Sequence, residues 1–170
     1  MTIEKKRKKP LEIALVGDVD HWEADVIKDM IEARPKRECV FYIDSLGGSV
    51  YGALAVTTLI RMRELHCTGI VLGECSSASL LIFAACKKRL VTRYSTLLFH
   101  RMRWESEKRI PAHEASRWAK HFEVLENDID DLQARLFGVA DKQIRAWIEK
   151  GEYVSGQQVV DAGIAEMLEI

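Results

Sequence analysis

The order of apolar runs along this 170-residue chain predicts an α/β fold around a largely parallel sheet. Short apolar runs of strand length alternate with segments whose apolar residues recur at helical spacing. Glycine, proline or aspartate follows several of these runs, as is typical of turns. Right-handed crossovers make such strands parallel, so polar residues that follow the strands should meet at their carboxyl ends.

The first half of the chain predicts three strands that alternate with three helices. Pro35 ends the first helix, and Gly47-Gly48 separates the second strand from the second helix. The third helix is small or apolar on all sides, which predicts that it is packed on every face. The strands are Leu11–Val16, Cys39–Ile43 and Cys67–Leu72, and the helices span about residues 22–33, 50–65 and 77–86.

The second half predicts two short strands followed by three helices. Leu90–Val91 and Thr96–Phe99 have strand character, and the second strand leads directly to His100. A long amphipathic helix spans Pro111–Phe137, with proline in its first turn and Gly138 just past its end. Two shorter helices are expected at about residues 141–150 and 155–162.

Composition excludes several classes of protein. The net charge is -1, so no overall basic field indicates nucleic-acid binding. The longest apolar run, Leu80–Cys86, is far shorter than the roughly 20 residues of a membrane span. We read residues 1–10 as a basic flexible arm without a signal peptide. The four cysteines form no CxxC pair or metal spacing, so we expect a reduced cytoplasmic protein without a metal or cofactor.

Three features that follow predicted strands carry candidate chemistry. The Gly47-Gly48 pair exposes backbone N–H groups and suits either an oxyanion site or a plain turn. A serine at the start of the buried helix suits either a nucleophile or a helix cap, and His100 suits either a base or a structural residue. Together the three features supply an oxyanion site, a nucleophile and a base. The serines at that junction are Ser76, Ser77 and Ser79.

Five segments, in order along the chain, resemble the proteolytic subunit of the Clp protease, within the Clp/crotonase fold. The resemblance covers roughly residues 11–166. It implies a single ClpP/crotonase-like domain over residues 11–170, with repeated β-β-α and βαβ units and with the helix at 111–137 as a projecting handle. The segments are IALVGDV from Ile13, FYIDSLGGSV from Phe41, LGECSSAS from Leu72, LFHR from Leu98 and YVSGQQVVDAG from Tyr153.

The resemblance also implies a serine endopeptidase that hydrolyses peptides or unfolded proteins. Carried over by position, Ser77 is the nucleophile and His100 is the general base. Gly48 and Ala78 donate backbone N–H groups to the oxyanion, and Gly47 lets the loop approach the substrate backbone.

One departure concerns the third catalytic residue of the family. The family's aspartate aligns with Trp147, which cannot orient an imidazole as a carboxylate does. Asp141, Glu149 and Glu152 lie nearby in sequence and are the candidate replacements. The alternative is a catalytically impaired scaffold or partner subunit. A Ser–Lys dyad is excluded, because the lysines after Cys86 lie about 15 Å from Ser77 by helical rise.

The resemblance further implies self-association into a ring-like homo-oligomer. An apolar stripe along the handle needs a cover, which is either another subunit or the chain's own sheet. Docking to a Clp-type ATPase is not expected, because the segment before the first strand is short. The segment Arg101–Arg109 lacks the family's glycines, so we do not expect it to grip substrate or to join rings. The stripe comprises Ala115, Trp118, Phe122, Leu125, Ile129, Leu132 and Leu136.

Overall fold

The computed structural model describes residues 9–105, 109–139 and 141–170, and these residues form one seven-stranded sheet and six helices. This architecture confirms the predicted α/β class. Most of the predicted basic arm lies outside the described residues. The strands are β1 (Leu11–Asp18), β2 (Glu38–Gly47), β3 (His66–Ser76), β4 (Lys88–Val91), β5 (Thr96–Phe99), β6 (Glu152–Ser155) and β7 (Glu166–Met167). The helices are α1 (Val19–Glu32), α2 (Val50–Met62), α3 (Ser79–Ala85), α4 (Ala112–Phe137), α5 (Asp141–Lys150) and α6 (Gly156–Asp161).

The long strand β3 changes its neighbour halfway along the sheet. Parallel strands follow the order β1-β2-β3-β4-β7, and β4 pairs with the first half of β3 from Thr68 to Val71. The second half of β3, from Glu74 to Ser76, pairs instead with β5, which is also antiparallel to β6. This exchange places the end of β3 beside the end of β5, so the residues that follow the two strands become neighbours.

Helix α3 lies in the centre of the hydrophobic core. All seven of its residues are buried, which confirms the prediction of a helix packed on every side. The four cysteines are buried free thiols, as expected. In the described ranges, no helix is long and apolar enough to cross a membrane.

The handle helix α4 packs its second half against its own chain. Pro111 precedes its first turn, and Gly138 ends it with a φ of 72°. The later stripe residues pack against the core, while Trp104 packs on Trp118 and Phe122 in the first half. The chain itself therefore covers part of the stripe. Of the two covers expected from the sequence, another subunit or the chain's own sheet, the second accounts for this part. The buried residues of α4 are Asp130, Gln133, Ala134 and Phe137.

Two strands were absent from the sequence prediction. Strand β6 has four residues and β7 has two, and both exist through pairing with distant strands. So short a run has too few residues to show a period. Strands β2 and β3 extend four residues beyond their predicted ends, into the polar residues that form the site described next.

Candidate active site

Ser77 lies at the turn between β3 and the buried helix α3. Its φ of 56° is in the left-handed region, which costs a non-glycine residue about 1–3 kcal/mol and is typical of functional turns. Its N–H donates to the Leu98 carbonyl of β5 at 3.0 Å, which fixes the turn beside the strand that leads to His100. The fold therefore holds this serine in a strained backbone conformation.

The neighbouring serines have structural roles. The Ser79 hydroxyl donates to the Ser76 carbonyl at 2.7 Å, and the Ser76 hydroxyl donates to a Glu74 carboxylate oxygen at 2.5 Å. Among the hydrogen bonds of the described residues, none uses the Ser77 hydroxyl, which lines a pocket instead. Of the three serines at this junction, Ser77 is thus the one whose hydroxyl is available for chemistry.

The Gly47-Gly48 loop packs directly against Ser77. A Cβ on Gly47 would lie 2.7 Å from the Ser77 Cβ and 2.9 Å from the Ser76 carbonyl oxygen, so no side chain fits there. Both glycines have positive φ, 106° for Gly47 and 124° for Gly48. Within the described part of the chain, the N–H groups of Gly48 and Ala78 have no hydrogen-bond acceptor. The loop is therefore specified by close contact with the serine and is more than a plain turn.

His100 follows β5 and lines the same pocket as Ser77. It is half-buried, whereas the other four histidines are exposed. Burial lowers the pKa of its imidazole, nearby Arg103 lowers the pKa further, and the Arg101 backbone opposes the shift. The ring is thus held neutral at neutral pH, as a base requires. No hydrogen bond joins it to Ser77 in the described structure, and such bonds often form only with substrate bound.

Of the three candidate acid replacements, the two with described side chains, Glu149 and Glu152, form no hydrogen bond with His100. Trp147 is buried, with its ring 5.0 Å from the Phe99 ring centroid, and so belongs to the core. Glu149 is exposed, and Glu152 pairs with a lysine of α5 at 3.7 Å. The side chain of the fourth position, Asp141, lies outside the described residues. Among described side chains, no carboxylate hydrogen-bonds to the His100 ring.

The pocket between the sheet edge and α4 joins the predicted site to residues that sequence reasoning missed. Its volume is about 40 Å³, room for about two or three water molecules. Ser77, Ala78 and His100 line one side. The handle contributes the other side through Glu126, Ile129, Asp130 and Gln133.

The polar handle residues share one helix face. Positions 126, 130 and 133 follow the four- and three-residue spacing of such a face, directly beside the apolar stripe. That spacing was the one sequence signal that could have identified these residues. It was not used, because polar residues on a long helix usually face solvent. Here Asp130 and Gln133 are each only 5% exposed, so the face is turned inward.

Glu126 connects the handle to the segment after His100. One carboxylate oxygen accepts a hydrogen bond from the Met102 backbone N–H at 2.8 Å, and the other pairs with Arg101 at 3.0 Å. Both oxygens are thus engaged. This contact fixes the backbone immediately beyond the histidine against α4.

Asp130 is less completely compensated. One of its oxygens lies 3.5 Å from the Arg145 guanidinium, which also pairs with exposed Asp131. Burial raises the pKa of the Asp130 carboxyl to about 6, Arg145 opposes the shift, and Glu126 adds to it. In the described chain, no group of three or more metal-ligating side chains is arranged to hold a metal ion.

A parallel α/β sheet with a polar pocket at the carboxyl ends of its strands is the usual arrangement of an α/β enzyme. Comparison with protein families identifies the kind of α/β enzyme: the family model described as Clp protease matches residues 3–169. The chain belongs to the Clp protease family, a family of serine-type peptidases whose members assemble into ring-like oligomers.

Proposed function

We propose that this chain is a serine endopeptidase with Ser77 as nucleophile and His100 as general base. One observation carries the proposal: the strained Ser77 turn and the half-buried His100 line one pocket, although they lie 23 positions apart in the sequence. A structural serine would need neither the left-handed backbone nor the glycine loop packed on it. Membership of a peptidase family supports the same reaction.

In the proposed reaction, His100 takes the Ser77 proton as the hydroxyl oxygen attacks the peptide carbonyl carbon. The developing oxyanion accepts hydrogen bonds from the N–H groups of Gly48 and Ala78, which the fold leaves without acceptors among the described residues. His100 then gives its proton to the leaving amine. Water, deprotonated by His100, hydrolyses the acyl-enzyme and regenerates Ser77.

Among the described side chains no carboxylate hydrogen-bonds to His100, and this sets the expected rate. In the serine-protease template, loss of a functional acid lowers turnover by about 10⁴ while substantial catalysis survives. A Ser–His pair with its imidazole held neutral by burial is therefore expected to act slowly. Peptides and unfolded chains are the proposed substrates.

A catalytically impaired partner subunit is the second candidate. The resemblance aligns the family's acid with Trp147, and the burial of this residue favours the second candidate, as does the lack of a Ser77–His100 hydrogen bond in the described structure. The free hydroxyl of Ser77 and the tight contact with Gly47 favour the peptidase. In either case we propose a ring-like homo-oligomer in the cytoplasm, where four free buried thiols stay reduced.

The test is labelling by a fluorophosphonate, read by intact mass on the assembled protein. We expect one adduct per wild-type chain and none on Ser77→Ala or His100→Ala. Matched controls are Ser116→Ala and His113→Ala, which remove exposed side chains of α4 and should label like wild type. An unlabelled wild type would exclude the peptidase and support the partner subunit.

A further inference from the structure

A second and larger cavity lies at the opposite end of α3 from Ser77. Helix α3 ends at Ala85, which lines this cavity. The cavity has a volume of about 620 Å³, within the range of about 300–1,000 Å³ that is typical of small-molecule sites. Among the described residues, none lines both this cavity and the pocket beside Ser77, so the proposed reaction does not use it.

Positive side chains dominate the walls of this cavity. Four of its lining residues carry a full positive charge, and they come from α2, from α4 and from the segment that enters β4. The only carboxylate among its described lining residues belongs to Glu64, which pairs with Lys36 at 3.1 Å. A concave surface with one sign of charge concentrates ions of the opposite sign. The four cations are Arg61, Lys87, Arg89 and Arg135.

Arg89 removes the usual structural explanation for Lys87 and Arg135. Basic residues near helix C-termini commonly offset the negative end of the helix dipole. Here the Arg89 guanidinium already donates hydrogen bonds to four carbonyl groups at or just beyond the ends of α3 and α4. These carbonyl groups belong to Ala84 at 3.2 Å, Cys86 at 3.0 Å, Leu136 at 3.5 Å and Phe137 at 3.3 Å.

The other three cations of the cavity lack partners of this kind. Within the part of the chain that the structure describes, the side chains of Arg61, Lys87 and Arg135 form no ion pair and no hydrogen bond. All three side chains are exposed, so an anion reaches them from solvent without a change in the fold. They therefore have full capacity to bind an anion that enters the cavity.

Most of the remaining lining is apolar. Ile60, Leu65 and Ala85 contribute buried apolar side chains to it. Guanidinium groups bind both phosphate and carboxylate through paired hydrogen bonds. A phosphate monoester carries nearly two negative charges and three acceptor oxygens that point in different directions, so it matches cations on several elements better than a planar carboxylate does. Cations combined with an apolar lining thus indicate an organic phosphate.

We propose that this cavity binds an organic phosphate, a small molecule with a phosphate group on an apolar body. Arg61, Lys87 and Arg135 bind the phosphate group, and the apolar lining contacts the body. Arg89 adds positive charge while it stays bonded to the helix ends. The site is separate from the proposed peptidase site, and its test needs no turnover.

The experiment measures binding to the assembled protein by isothermal titration calorimetry with three probes. Naphthyl phosphate has the phosphate and an apolar body, naphthoate has a carboxylate on the same body, and inorganic phosphate lacks the body. The variants Arg61→Met and Arg135→Met keep an unbranched side chain and remove the charge. Arg117→Met is the matched control, because Arg117 is an exposed arginine of α4 outside the cavity.

We expect wild type to bind naphthyl phosphate about 10-fold more tightly than either naphthoate or inorganic phosphate. Arg61→Met and Arg135→Met should each weaken this binding about 10-fold, and Arg117→Met should bind like wild type. Added salt should weaken the binding.

Several results would overturn the inference. They are no binding of naphthyl phosphate by wild type at millimolar concentration, wild-type affinity in both cavity variants, and an equal loss of affinity in Arg117→Met. Equal affinity for naphthoate would exclude phosphate as the recognised group. Because the substituted arginines are exposed, the variants should fold, and far-UV circular dichroism of each variant checks this.

Discussion

The buried carboxylate of Asp130 should make the protein less stable at neutral and higher pH. Its pKa rises from an ordinary 3.8 to about 6, so the folded state holds the proton more tightly than the unfolded state does. At about 1.4 kcal/mol per pKa unit, ionised Asp130 costs the folded state about 3 kcal/mol. The cost is absent below the unfolded pKa, grows as pH rises to about 6 and is complete above it.

Asp130→Asn removes the ionisation while it keeps the shape of the side chain, and Arg145 keeps Asp131 as a partner. The variant should therefore be more stable than wild type, and the difference should increase by about 2 kcal/mol between about pH 4.5 and pH 8. Urea unfolding followed by tryptophan fluorescence measures this difference, at one fixed protein concentration because assembly affects stability.

Asp128→Asn is the matched control, because Asp128 is exposed on the same helix. Its stability difference from wild type should stay nearly constant with pH. If the stability difference between Asp130→Asn and wild type is also constant with pH, burial does not raise the pKa of the Asp130 carboxyl as described above. A stabilising Asp130→Asn would also mean that the native aspartate is retained at a cost in stability, as is common at functional sites.

Three further outcomes are expected. Gly47→Ala should abolish fluorophosphonate labelling of a folded protein, because the added Cβ would lie 2.7 Å from the Ser77 Cβ; normal labelling would contradict the close packing. Trp147→Ala should lower the free energy of unfolding by about 3–5 kcal/mol through the cavity left beside Phe99, and a change below about 1 kcal/mol in urea unfolding would argue against a core role. The labelling rate should fall with acid at a pKa below the usual histidine range, since burial favours neutral His100; an inflection above that range in a pH–rate profile would disprove the assignment.

The sequence predicted the parts of the fold that depend on local pattern. The limits of β5 are those predicted, and the span of α5 also matches, because an apolar run followed by polar residues and a helical period are local signals. Strand β6 was missed because its pairing with β5 is a tertiary contact. The sequence likewise did not predict that β4 pairs with the first half of β3 and β5 with the second half.

The predicted site residues could be identified from their order in the sequence, whereas the missed residues are recognisable only from the packing of the folded chain. Ser77 and His100 are candidates because each follows an apolar strand, a pattern that is visible in the chain itself. Asp130 and Gln133 resemble solvated polar residues of a long helix until the fold turns that face toward the sheet. Only the docking of α4 distinguishes buried Asp130 from the exposed aspartates two residues earlier and one residue later.

The burial of Trp147 also restricts which residues this position accepts. Its indole fills space against Phe99, so an aspartate at this position would leave both a void and a charge within an aromatic cluster. The present core thus opposes Trp147→Asp, the single substitution that would place a carboxylate at this position. Phe99 and its neighbours would have to change before the core could accept an acid at this position, so these positions are constrained together.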